Sequence, residues 1–183
     1  MTRLSLISHA ATSAERAGIF PVADEPASPD SLIPCAIGHF DRLWTAPERR
    51  ARQSAAGFGA EAVIVPDLAD ADYGDWRGRT LSAIEAGDPA GTAAWLADPG
   101  AAPHGGESLL VLLRRVGTWL DGLGLPGHTV AVTHPSVIRA AIVHALGAPP
   151  VSFWRIDVQP LSVTDLRRHG RHWTLRSTGP GGN

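Results

Sequence analysis

Two histidines stand in the same local setting. His9 follows the apolar run Leu4 to Ile7 across Ser8, and His134 follows Thr129 to Val132 across Thr133. Both runs are short and partly β-branched, as buried strands are. A neutral imidazole is a nucleophile at neutral pH, and a protonated one is an acid and a cation. Each histidine precedes an expected helix start, where free backbone amides favour an anion. Two imidazoles with such amides would make a small anion pocket. The stretch Thr45 to Ala55, TAPERRARQSA, adds arginines. Arg49, Arg50 and Arg52 point in different directions on a helix, so a solvated face accounts for some of them. One turned inward would meet phosphate with a bidentate fork. The segment Leu68 to Thr80, LADADYGDWRGRT, is a loop by composition and carries several acids. An acid held beside an imidazole pocket is a candidate proton donor.

The rest of the 183 residues narrows the chemistry by exclusion. All sixteen basic residues are arginine. A lysine Schiff base, a lysine base and a P-loop lysine are therefore ruled out. The single Cys35 excludes an intramolecular disulfide and a Cys-rich zinc cluster, and reads as an apolar, at least partly buried residue. A formal net charge of −2 argues against bulk nucleic-acid binding. No run reaches the roughly 18 apolar residues of a membrane span, and the start lacks a signal-peptide core. A chain of the reducing cytoplasm is the default. Abundant Ala, Gly and Arg without Lys look like a G+C-rich bacterial genome.

These side chains need elements to hold them. Strands are expected at 4–7, 43–45, 62–65 and 129–132, and a hairpin joins 161–166 to 172–175 around Arg168-His169-Gly170-Arg171. Helices are expected from Pro47 to about Gly57, with Thr45 or Ala46 near the cap, and at 81–86 and 91–97. The longest amphipathic pattern runs from Glu107 to Leu123, and another helix runs from Pro135 to Leu146 with Gly147 as its stop. Strands alternating with helices make a three-layer α/β/α sandwich with a mostly parallel sheet, and ligands of such sheets sit at the carboxyl ends of the strands. A single domain over 1–176 is expected, with cap segments at about 13–38 and 67–106 and a frayed tail at 177–183.

The ordered motifs resemble the histidine phosphatase superfamily, the phosphoglycerate mutase-like fold. The first signature, R-H-G-x-T, stands here as Ser8-His9-Ala10-Ala11-Thr12. The second, S-x-L-x-R-A-x-Q-T-A, matches Thr45 to Ala55 and places its Arg at Arg50. The third, L-x-E-x-x-F-G-x-W-x-G, matches Leu68 to Gly78 with Asp70 at the acid position. Gly105-Gly106-Glu107-Ser108 follows, and V-x-H-x-x-x-I-R-A stands as Val132 to Ala140. The resemblance implies a phosphomonoesterase acting on a small phosphorylated metabolite, without metal or cofactor. His9 would become a phosphohistidine, Asp70 would act as general acid, and Arg50 and His134 would hold the transferring oxygens. Ser8, Thr12 and Pro135 join this phosphate-binding set. A homodimer is compatible with the reading, and no nucleic-acid or membrane partner is implied.

The departures matter. Ser8 stands where the resemblance places an Arg on the phosphate. A lost charge-assisted bond is worth about 1.5–3 kcal/mol. Arg16, just after the first motif, is the expected stand-in, with Arg77 behind it. Glu15 occupies a position where Asn is frequent, and an acid there would repel a phosphate unless it pairs with Arg16 or points away. Pro135 removes one amide from its turn, Asp70 is shorter than the usual Glu, and Asp72 is its fallback. His104 and Trp76 are candidates to border the pocket, and the remaining histidines read as surface or packing residues. Two alternatives follow from Ser8: an impaired member that binds an anionic ligand without turnover, or a pocket repurposed for acid–base chemistry on a non-phosphate substrate.

Overall fold

The two apolar runs that end in histidine become the middle of one sheet. Strands β1 (Thr2–Ser8) and β4 (Gly127–Thr133) pair in parallel and are buried along nearly their whole length. Burial on both faces is why they read as continuous apolar runs rather than alternating ones. A computed structural model describes residues 1–32, 37–124 and 126–180. Its six strands also include β2 (Arg42–Thr45), β3 (Val63–Ile64), β5 (Ser162–His169) and β6 (His172–Pro180). They lie in the order β3-β2-β4-β1-β5-β6. The first four are mutually parallel, while β5 is antiparallel to both β1 and β6. The result is a three-layer α/β/α sandwich with a mostly parallel sheet.

Among the described residues there are six α-helices: α1 (Ser13–Arg16), α2 (Arg49–Ala56), α3 (Leu81–Gly87), α4 (Pro89–Ala97), α5 (Leu109–Gly122) and α6 (Pro135–Leu146). None is long and apolar enough to cross a membrane. Helix α6 opens on Pro135 and closes on Gly147 at φ 59°, a left-handed conformation that glycine adopts without a Cβ penalty. Helices α5 and α6 pack together. Gly117 permits this approach, since a Cβ there would come 2.6 Å from His144 Nδ1. The core joins Leu4, Leu6 and Ile7 of β1 with Val130 to Val132 of β4, Leu112, Val116 and Leu120 of α5, and Val137 and Ile138 of α6.

The expected elements shift where side chains are committed elsewhere. Helix α2 is capped at Glu48 rather than at Thr45 or Ala46, and without a side-chain cap bond. The Glu48 carboxylate instead bonds His134 and the Asp70 amide. Helix α5 starts after Ser108, whose hydroxyl accepts the Val111 amide. Strand β3 keeps only two residues, both exposed, because it forms the sheet edge. Helix α1 starts four residues after His9 rather than directly beyond it, and it and the 3₁₀ turn at Pro150–Arg155 had no clear periodic signal. The stretch from 177 is not a frayed tail as far as Pro180, because residues 177–180 pair with 162–165. Cys35 and residues 181–183 lie outside the described residues.

Candidate active site

Parallel pairing in this register decides which side chains meet. Ser8 pairs with Thr133, so His9 and His134 leave the sheet side by side. The His9 amide donates to Thr133 O at 2.9 Å, and the ring centroids are 5.1 Å apart. His9 Nδ1 lies 2.8 Å from Ala10 O. Bonding to a carbonyl requires the proton on Nδ1 and leaves the Nε2 lone pair free. Burial, followed by the charge of neighbouring His134, lowers the His9 pKa to about 3, so the ring is neutral at neutral pH. His134 is sealed in. Its ring is 0% exposed, with Nε2 2.8 Å from Glu48 Oε2 and Nδ1 3.4 Å from Asp70 Oδ2.

The arginine run resolves by helical phase. Arg50 and Ser54, one turn apart, face inward, while Arg49 and Arg52 are exposed. Ser54 Oγ accepts the Ala10 amide and donates to Arg50 O, tying α2 to the turn after β1. Arg50 is 1% exposed and donates to Asp70 Oδ2 at 2.7 Å and Val22 O at 2.9 Å. Asp70 Oδ1 accepts from Ser136 Oγ at 2.6 Å and from the Ala71 amide at 2.8 Å. Burial alone would raise the Asp70 pKa, but His134, Arg50 and the Ser136 hydroxyl together lower it to about 2.

The acid loop is held from behind. Arg115 of α5 pairs with Glu107 and donates to the carbonyls of Asp67, Ala69 and Asp70. The Glu107 amide donates to Asp72 O. Gly106 lets the two backbones touch, since a Cβ there would lie 2.1 Å from Asp72 O. The pocket in front has a volume of about 140 Å³. His9, Arg50 and Asp70 line it together with Thr12, Glu15 and Tyr73, and α6 contributes Pro135, Ser136 and Arg139.

Comparison with known proteins agrees with this geometry. The profile of the histidine phosphatase superfamily (branch 1) matches residues 35–179. The chain belongs to the histidine phosphatase superfamily. An adenosylcobalamin/alpha-ribazole phosphatase of Salmonella typhimurium is 28% identical over 173 residues, covering 86% of each chain. A glucosyl-3-phosphoglycerate phosphatase of Mycolicibacterium vanbaalenii is 33% identical over 122 residues, which are 59% of this chain and 54% of that one. In fold, the chain resembles a phosphoserine phosphatase mutant of Entamoeba histolytica in complex with phosphoserine, with a TM-score of 0.88 at 21% identity. That match covers 97% of this chain and 96% of the other. A putative alpha-ribazole-5'-P phosphatase of Escherichia coli gives a TM-score of 0.86 at 22% identity over 96% and 94% of the two chains. The fold is thus phosphoglycerate mutase-like, and membership of the histidine phosphatases makes the chain a phosphoric monoester hydrolase.

Against the superfamily's motifs, the structure gathers some expected residues and leaves others out. His9, Thr12, Arg50, Asp70 and Pro135 meet at the pocket, and His134 stands behind Asp70. Ser8 does not reach it. The side chain is fully buried, and among the described residues its Oγ has no hydrogen-bond partner. Arg16 is also outside, half-exposed and paired with Asp30 at 3.1 Å, so it does not stand in for the missing guanidinium. Arg77 points outward and pairs with Asp72. His104 packs against Trp76 and Tyr73, and its Nδ1 accepts the Gly106 amide. Neither His104 nor Trp76 lines the pocket.

Asp70, at the acid position, lines the pocket and accepts three hydrogen bonds. Sequence reasoning missed three participants. Arg139 lies four residues past Pro135, on the same helical face, and that spacing was a usable signal. Glu48, which holds His134, and Arg115, which holds the acid loop, gave no such signal because their partners are distant in the chain.

Proposed function

We propose that the protein acts in the cytoplasm and hydrolyses a small phosphomonoester through a phosphohistidine on His9. One observation carries this reading. His9 Nδ1 is committed to Ala10 O, so the neutral ring presents an unprotonated Nε2 at the pocket. Phosphoryl transfer then asks for positive charge around the moving oxygens. Arg50 and Arg139 both line the pocket. Arg139 is anchored by its Nε to Ile156 O at 2.8 Å and lies over the Phe153 ring, an arrangement that supports it as the second guanidinium in place of Ser8. Asp70 serves as the carboxylate that orients Arg50, Ser136 and His134. The small pocket supports a substrate with few heavy atoms beyond the phosphoryl group.

Hydrolysis of p-nitrophenyl phosphate and a panel of phosphorylated metabolites tests this. Turnover is expected, with an acid-labile phosphoenzyme in rapid-quench samples, and both vanish in His9→Ala. Undiminished turnover in that variant overturns the reading. A second reading rests on the withdrawal of Ser8 from the pocket and the commitment of Arg50 to Asp70: an anion-binding protein without turnover. Saturable phosphate binding by a folded protein that hydrolyses nothing in the panel would favour it.

A further inference from the structure

Tyr73 and Arg139 both line the pocket. A continuous run of aromatic rings joins them. Tyr73 meets Phe20 with ring centroids 4.9 Å apart, and Phe20 meets Trp95 of α4 at 5.9 Å. Trp95 meets Trp154 at 4.6 Å, and Trp154 meets Phe153 at 5.0 Å. The Arg139 guanidinium then lies over the Phe153 ring, 5.7 Å from its centroid. Trp76 packs on both Phe20 and Trp95 and thickens the run. Four segments far apart in the chain thus form one arch: the stretch after α1, the acid loop, α4 and the 3₁₀ turn at Pro150–Arg155. Edge-to-face and tilted ring pairs are favourable beyond the area they bury, and they hold rings at set angles.

We propose that this arch is a positioning element, in which Phe153, braced through Trp154 and Trp95, sets where Arg139 presents its charge in the pocket. An arginine side chain has many rotamers, and one left to scatter gives up much of what a placed charge supplies. Arg139 is held twice. Its Nε donates to Ile156 O at 2.8 Å, at the end of the 3₁₀ turn, and the Phe153 ring holds the guanidinium from one side. Among the described residues its two Nη groups make no hydrogen bond or ion pair. Arg50 differs, since its Nη1 and Nη2 are given to Val22 O and Asp70. Arg139 is therefore a pocket guanidinium fixed at its stem with its terminal amines unspent. Phe153 is buried, and Phe153, Trp154 and Trp95 all lie outside the pocket lining. They do not touch a substrate there and act through Arg139.

This role rests on Arg139 as the second guanidinium, and a double-mutant cycle separates the two. Phe153→Leu, Arg139→Ala and the double variant would be compared by kcat/KM on p-nitrophenyl phosphate and by the Kd of inorganic phosphate in titration calorimetry. Arg139→Ala should lose on the order of 10²-fold in kcat/KM. Phe153→Leu should lose about five- to twentyfold with Arg139 present and under about twofold once Arg139 is gone. Kd should weaken in the same pattern, and in a protein that binds phosphate without turnover the cycle is read on Kd. Trp95→Leu alters a half-buried residue, and should lose about two- to fivefold, again only with Arg139 present. A ring that serves stability alone would lower the urea midpoint and leave kcat/KM and Kd unchanged, or would cost the same factor in both backgrounds. Either result overturns the role of the arch. If Phe153→Leu shows no cooperative urea transition, the Trp95→Leu cycle decides by the same criteria. Should Arg139→Ala keep wild-type kcat/KM and Kd, the assignment of Arg139 fails first and the arch loses its purpose. A wild type that neither binds phosphate nor hydrolyses the ester overturns the phosphatase reading and this role together.

Discussion

The ends of β1 and β4 begin as near copies and finish as opposites. Each strand is buried, each ends in a hydroxyl residue, and each delivers a histidine to the same edge of the sheet. Yet His9 keeps a ring nitrogen free at the pocket, while His134 is closed in between Glu48 and Asp70. The cause lies in what packs over each strand end. Behind β4, α2 and the acid loop bring carboxylates, and Ser136 at the start of α6 fixes one of them. Beyond β1, the chain turns through Ala10 and Thr12 into the short α1, and among the described residues no carboxylate takes His9 Nε2. The same local sequence therefore yields an imidazole open to the pocket at one strand end and an enclosed one at the other.

Stability provides the sharpest way to break this contrast. His134→Ala strands Glu48 without its partner, which should cost about 3–5 kcal/mol. His9→Ala should cost less than half as much, and equal shifts in urea midpoint would erase the distinction. The next effect is a dependence on pH. The folded His9 pKa is depressed to about 3, so the unfolded chain binds the proton more readily. Stability is full above the unfolded value near 6.5 and falls as pH drops toward 3. Between pH 7 and pH 5 the wild type should lose about 2 kcal/mol more than His9→Ala does. Depression of Asp70 adds a similar loss only below its ordinary value near 3.8, as pH falls toward 2, outside that comparison.

Glu48→Gln retains the shape of the contact but weakens a charge-assisted bond. A cost of about 1.5 kcal/mol is expected in urea denaturation. The smallest effect belongs to Ser8→Ala. A buried hydroxyl without a partner is lost, so stability should hold within about 0.5 kcal/mol or rise, and kcat/KM should not change. A large drop in kcat/KM would return Ser8 to the phosphate site.

Periodicity and punctuation made much of this site readable. The two strand–histidine junctions, the helix opened by Pro135 and closed by Gly147, and the inward turn of one arginine among three were all visible in residue order. Arg139 was within reach of the same helical spacing. The surroundings of Ser8, Arg16 and Asp70 were not, because each is set by how distant segments pack. Arg16 meets Asp30, Asp70 meets Arg50 and Ser136, and Ser8 is buried without reaching the pocket.

The amino-acid sequence determined the elements, their order and the types of group carried to the strand ends. Helical and strand periods fix which side chains share a face, and turn residues fix where elements stop. Only the tertiary structure decided which imidazole is free, which guanidinium lines the pocket and which carboxylates are held by neighbouring donors. Those properties follow from burial and from charges brought within a few ångströms by distant segments, and residue order alone does not set such distances.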